Sequence, residues 1–485
     1  MKGTVITGPQ RLGVLPAALV VAVVGVTLEA AVLALPARAA VTFNVNSFDD
    51  RRDTDLTDNV CRTSAGNCSL RAAIQQANAT AGTDTIRLQG GTYRLGFAGG
   101  VQQPASTVDP VEPAGRPSSR DLDITDSVTI LGGATPSGTG TTVDGGRFSS
   151  VFEIDNGSAV VDISNLTVTN GGEEEHSSFG SGGGLLIRAG SVSLRRVTVR
   201  DNVTTQQGSG IANEGRLSLF ESTVDNNRNL SSFGGRGLTA EGGGIHNFST
   251  GSVTIDRSTI SNNFSLRGGG LTNNFGQMTI TNSTVSGNTA RNSGGGILNR
   301  GYGTGAKGTL NIGFSTIVGN QANVSGADEE KLGGGIANAG GQVNMGGTIL
   351  AGNTDNRSYF DASFTPDCHS LDAFRFTSYR NNVIGLLTGT CVVRDTFWGE
   401  GLNFDRVGRD PAAPLDPRVG AMAHNGGTTT NRPPLGGSPA VDLADSGTSG
   451  ALFNCPATDQ RGVSRPRDGD ADGTAACDTG SVEIG

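Results

Sequence analysis

Aliphatic residues recur along the middle of the chain in a fixed relation to glycine. A Gly-rich tripeptide opens a unit at Gly182, Gly208, Gly242, Gly268, Gly294 and Gly333, and the next residue is Leu185, Ile211, Ile245, Leu271, Ile297 or Ile336. In the last five units Asn follows two positions later, as Asn213, Asn247, Asn273, Asn299 and Asn338. A second segment alternates with period two: Val192/Leu194, Leu217/Leu219, Val253/Ile255, Met278/Ile280, Leu310/Ile312 and Val343/Met345. Such alternation predicts a short strand with one buried face. A third segment carries Val199, Val224, Ile260, Val285, Ile317 or Leu350, with Asn202, Asn227, Asn263, Asn288, Asn320 or Asn353 three residues on. Successive openings lie 26, 34, 26, 26 and 39 residues apart, a basal unit carrying insertions. Three strands per unit, with Gly and Asn at corners that need left-handed backbone, predict coils of an all-β parallel β-helix. In such a stack aliphatics fill the interior and the Asn columns form hydrogen-bonded ladders, which explains them without any chemistry. A β-propeller fits less well, since its blades need about 40 residues and four strands. The Ca-binding nonapeptide roll lacks its motif here.

Similar alternation in Asp84 to Leu88, Leu122 to Leu131 and Val151 to Val168 predicts earlier coils, with residues 97–120 as a Pro-, Gly- and Ser-rich loop. An open stack exposes strand edges and needs caps. Residues 68–79 form the one clear helical pattern: Leu70, Ala73, Ile74 and Ala77 share a face, and Ser69 is the expected N-cap. The resulting plan is a leader over 1–39, an N-terminal cap over 40–80, coils over 81–355 and a C-terminal region over 356–485.

Composition narrows the picture. With 76 Gly and 17 Pro in 485 residues, long helical bundles and collagen are both disfavoured. A net charge of -9 argues against a nucleic-acid partner. Lys2 and Arg11, the apolar run from Val14 to Leu35 and the sequence Ala37-Arg38-Ala39 read as a secretory signal peptide, which predicts a secreted, monomeric protein with no membrane span after cleavage. The six Cys are Cys61, Cys68, Cys368, Cys391, Cys455 and Cys477; an even count in an exported chain suggests disulfides, sequential pairing being the simplest of 15 connectivities.

The helical stretch Cys68-Ser69-Leu70-Arg71-Ala72-Ala73 resembles the Cys-Ser-Leu-Arg-Glu-Ala signature of exported bacterial β-helix proteins, with Ala72 in place of the motif Glu. That Glu would complete a capping box at N3. The far end resembles the choice-of-anchor Q domain in His424-Asn425-Gly426-Gly427, Gly437-Ser438-Pro439-Ala440-Val441-Asp442, Asp459-Gln460-Arg461-Gly462 and Cys477-Asp478-Thr479-Gly480. Together the resemblances imply a right-handed β-helix like that of pectate lyases, and no settled activity. The family's variable surface anchor is not seen after these residues, which favours free secretion over anchoring.

Candidate chemistry lies in the insertions before the Gly-rich corners. Glu173, Glu174 and Glu175 with His176, then Glu241, then Asp328, Glu329 and Glu330 supply acids; Arg267 and Arg291 stand at the corresponding place in the coils between. In register, these would line one edge as a polysaccharide groove, and an Arg would serve as base beside a Ca-bound uronate; the competing reading is simple solvated loops. His246, between inward-facing Ile245 and Asn247 and beside the small Ala212 and Thr272, is expected to point outward into a shallow depression as an acid/base candidate or an ordinary exposed His. Asp49-Asp50 precede the first coil, and Asp201, Asp225 and Asp256 do not share a column. Asp468, Asp470 and Asp472, with the turn at Gly473, resemble the opening of a Ca-binding loop, although Thr479 stands where a bidentate Glu belongs. The sole Trp, Trp398, falls outside the repeat, so aromatic sugar platforms are scarce. Two functions follow as expectations: binding of polysaccharide or another cell-surface polymer along a lateral face, or a polysaccharide lyase (rather than a hydrolase) acting in a groove.

Overall fold

The structure, a computed structural model, describes residues 40–99, 101–102, 120–135, 138, 140–172, 181–230, 240–301, 308–322, 333–355, 366–370, 376–388, 390–395, 404–444 and 453–485. The expected leader over 1–39 lies outside them. Among the described residues, those up to Val407 stack as a right-handed parallel β-helix. Among the described residues a 12-stranded sheet runs from Thr42–Asn44 to Val393–Asp395, an 11-stranded sheet from Gly91–Arg94 to Arg406–Val407, and a nine-stranded sheet from Leu122–Ile124 to Cys368–Ser370. A fourth, short sheet (Val203–Thr204, Arg228–Asn229, Phe264–Ser265 and Thr289–Ala290) was not legible in the repeat.

The register follows the aliphatic columns. Leu185, Ile211, Ile245, Leu271, Ile297 and Ile336 pair coil to coil, and each is 0% exposed. Burying each such side chain contributes about 1.5–3 kcal/mol. Both Asn ladders form. Each Asn Nδ2 donates to the Oδ1 of the next coil, from Asn213 to Asn338 in one ladder and from Asn202 to Asn353 in the other. Asp367 ends the second ladder by accepting from both the Asn353 N–H and its Nδ2. Because every Asn passes a donor onward, the last position needs only an acceptor, and a carboxylate supplies it.

At the N-terminal end the helix Leu70–Ala79 buries Leu70, Ala73, Ile74 and Ala77, and Ser69 Oγ accepts from Ala72 N–H at 3.1 Å. Arg71 turns inward. Its Nε and Nη2 donate to Asp50 at 2.8 and 3.0 Å, and its guanidinium also reaches the carbonyls of Arg120 and Asp121. Asp50 thus belongs to the cap, not to any chemistry.

The C-terminal cap carries Cys368–Cys391 and Cys455–Cys477, and Cys61–Cys68 ties the other end; pairing is sequential. After the last coils it also extends along the flank of the 11-stranded sheet. There one outward column is threonine in successive coils: Thr142, Thr167, Thr198, Thr223, Thr259, Thr284 and Thr316. Gln460 Nε2 donates to Thr259 Oγ1 at 3.0 Å, Thr284 Oγ1 donates to Gln460 Oε1 at 2.6 Å, and Ser481 N–H donates to Thr316 Oγ1 at 3.0 Å. Gln460 and the Cys477-Asp478-Thr479-Gly480 turn therefore serve docking, with Thr479 Oγ1 donating to the Asn381 carbonyl at 2.6 Å.

Candidate functional site

The nine-stranded sheet carries the residues of the expected groove. Its Gly corners are obligatory: Gly242 and Gly268 have φ of +67° and +60°, and a Cβ on Gly242 would stand 2.5 Å from the Ile245 carbonyl oxygen. These corners fix what precedes them, so Glu241 bridges in parallel to Arg267. The next residue in that row is Ser293, whose carbonyl accepts from Gly268 N–H. Arg291 lies two residues earlier, with its N–H on the Ser265 carbonyl, and is not equivalent to Arg267. Counting back from the Gly triplet sets the row; a count by composition does not.

Glu241 and Arg267 do meet, together with Arg300, a residue the repeat gave no reason to single out. Arg300 ends the strand Ile297–Arg300 and reaches Glu241 Oε1 at 2.8 Å, while Arg267 Nη1 stands at 4.0 Å. The Glu241 side chain is 2% exposed against 22% and 26% for the two Arg, so a buried carboxylate is held under two partly solvated cations.

His246 corrects the expectation of an exposed imidazole. It does sit in the column of Ala212 and Thr272, but it is 1% exposed and its ring packs 4.3 Å from Phe248. The whole column is covered: Leu186, Ala212, Thr272, Leu298 and Ala337 are all buried. The apolar Leu186 and Leu298 at outward positions were the available signal. Burial, then the nearby positive charge of Arg300, push the imidazole down to about 3, against a smaller opposing effect from the Glu241 backbone. That backbone lies near the ring without satisfying it, since neither ring nitrogen has a well-formed hydrogen bond among the described residues. His246 is a neutral, enclosed side chain at any ordinary pH. The cluster can hold charge and shape.

Glu173, Glu174, Glu175, His176, Glu329, Glu330 and Trp398 fall outside the described residues. Asp201, Asp225 and Asp256 hold corners, accepting from Asn226, Asn262 and Thr281 respectively.

Two acidic groups bring three carboxylate oxygens within 4.8 Å of one another. One is Asp121, Asp123 and Glu153, where Arg188 Nε already donates to Glu153 at 2.6 Å. The other is Asp442, Asp468 and Asp470, so the Ca-loop candidates Asp468 and Asp470 gain Asp442 as neighbour while Asp472 stands apart. Either group could hold a metal ion. Asp442 Oδ2 accepts from the Gly469 and Asp470 N–H groups, Asp468 from Asp472 and Gly473, and Asp472 from Thr474. These backbone donors order the loop and leave further lone pairs on each carboxylate free to face a cation.

An open surface lies elsewhere. On the outward face of the 12-stranded sheet Ser193, Ser218, Thr254, Thr279, Asn311, Asn344 and Thr377 pair coil to coil in one column. Ser218 and Thr254 are exposed and the others half-buried. Ser252, Gln277, Thr309 and Gln342 form a parallel column. The amides are oriented by one another: Asn344 Nδ2 donates to Asn311 Oδ1 at 2.8 Å, and Gln342 Nε2 donates to Asn344 Oδ1 at 3.0 Å. Phe220, at the edge of this face, is flanked by Arg195 and Arg257 at 5.2 and 5.3 Å.

No protein-family model and no curated protein matches the chain. The two family resemblances therefore rest on their own residues alone. Among solved structures, pectate lyase Pel9A is similar over 92% of this chain and 98% of its own, with 13% identity and a TM-score of 0.46.

Proposed function

We propose that this is a non-catalytic extracellular β-helix that binds an extended polysaccharide or similar hydroxyl-rich polymer along the outward face of the 12-stranded sheet. The observation that carries the reading is the uncharged column from Ser193 to Thr377, seven coils long and at least partly exposed at every position. Its donors and acceptors repeat at the inter-strand spacing of about 4.8 Å, similar to the length of one pyranose unit in an extended glycan. Three disulfides fit an oxidising compartment, and no helix among the described residues is long and apolar enough to cross a membrane.

The second reading, a polysaccharide lyase, is favoured by one observation: Glu241, Arg267 and His246 do converge, with Arg300 added. Arg291 would have to act from a different row. The experiment is co-sedimentation and calorimetry with a panel of neutral and acidic polysaccharides, run beside assays for unsaturated products and reducing ends. The reading expects binding without turnover, lost in Ser218→Arg/Thr279→Arg. Turnover abolished by Arg267→Ala with the fold intact would instead establish the lyase.

A further inference from the structure

The seam between the C-terminal cap and the coils holds a cation with no counter-charge among the described residues. Arg432 is half-buried; its only hydrogen bond among the described residues is Nη1 to the Gly420 carbonyl at 3.4 Å, and its Nε has none. Among the described residues no carboxylate offsets the burial that lowers its affinity for the proton. Beside it Ser286 is 1% exposed, and its Oγ is likewise without a partner.

Both groups face one open point. In successive coils the left-handed corner after this strand is Asp201, Asn226, Asn262, Gly287, Gly319 and Gly352, so side chains cease at Gly287. A Cβ on Gly319 would lie 3.7 Å from Arg432 Nη2 and 3.7 Å from Ser286 Oγ, and Gly319 itself is exposed. One coil upstream the corresponding serine is satisfied, because Ser261 Oγ donates to Asp225 Oδ1 at 2.7 Å and Asn262 Nδ2 shares that oxygen at 2.8 Å. At Ser286 the donors remain and the carboxylate is missing.

We propose that Arg432, Ser286 and the open corner at Gly319 form a binding site for a single oxyanion the size of a carboxylate or sulfate. The bound group takes the guanidinium of Arg432 and the hydroxyl of Ser286, a charge-assisted arrangement, and clasps the cap to the flank of the coils. A free anion and an acidic group on a polymer share this chemistry, and the test separates them. The purified chain is titrated with sodium sulfate, with sodium glucuronate and with an acidic oligosaccharide, each against sodium chloride at equal ionic strength. The readouts are melting temperature and the NMR shift of arginine Nε–Hε. The expected result is a saturable shift of one Nε–Hε signal and a rise in melting temperature, since a ligand bound only by the native state stabilises it. Affinity falls at least tenfold in Arg432→Gln and at least threefold in Ser286→Ala. Sulfate and glucuronate acting alone identify free anions as the ligand, and tighter binding of the oligosaccharide identifies the polymer. No saturable response in the native chain, or one unchanged in both variants, overturns the site whatever the fate of the polymer-binding face.

Discussion

Glu241→Gln separates a structural role from a catalytic one at the cluster of Glu241, Arg267 and Arg300. The native carboxylate is 2% exposed and takes Arg300 at 2.8 Å and Arg267 at 4.0 Å. Removing one partner of a buried ion pair costs about 3–5 kcal/mol, because the remaining charge is left uncompensated. Here the remaining charges are guanidiniums 22% and 26% exposed, which water reaches in part, so the expected loss is about 2–3 kcal/mol. Gln keeps the shape and one acceptor, so the loss reports charge rather than volume. Equilibrium denaturation followed by circular dichroism is the assay, with Arg300→Gln and the double variant closing a cycle. A structural pair predicts a coupling of about 1–3 kcal/mol, the double variant losing less than the sum. Glu241→Gln within about 0.5 kcal/mol of the native chain would refute the reasoning, and unchanged stability with abolished turnover would make Glu241 catalytic.

Two further predictions test the ends of the molecule. Arg71→Ala should lose about 2–4 kcal/mol, since it leaves Asp50, at 3% side-chain exposure, with the Gly96 N–H and the charge of Arg120 in place of a paired guanidinium; hydrogen exchange should show that loss first in the helix Leu70–Ala79 and its adjoining coil, and uniform protection throughout would count against it. Stability should fall as pH rises from about 4 to about 7: burial raises Asp367 to about 7, Asp478 to about 6 and Glu483 to about 7, and these three groups together outweigh His246, which, lowered to about 3, acts in the opposite sense, so the folded chain binds more protons than the unfolded one across that window. The melting temperature at pH 5 should exceed that at pH 8, and Asp367→Asn should flatten the slope; a flat native profile would contradict the shifts.

The interior was legible because its physics is local and repeated. A period-two strand followed by a left-handed corner fixes which side chains point inward, so the columns through Ile245 and Asn263 follow from spacing alone. The site was less legible because it depends on what lies over the outward face. His246 occupies the expected column, yet nothing within its own coil decides whether that column meets water or cover. Arg300 reaches Glu241 from a strand two coils further on, a distance in sequence that no periodic pattern connects. Arg291 shows the converse error: insertions of unequal length shift residues against the row, and only the Gly corner, which tolerates no side chain, preserves the register. In a solenoid, then, residues anchored to the corner can be placed from sequence, while the charge pairs that bridge coils require the stacked structure. The oxyanion site belongs to this second class, since Ser286, Gly319 and Arg432 come from two coils and the cap that folds back over them.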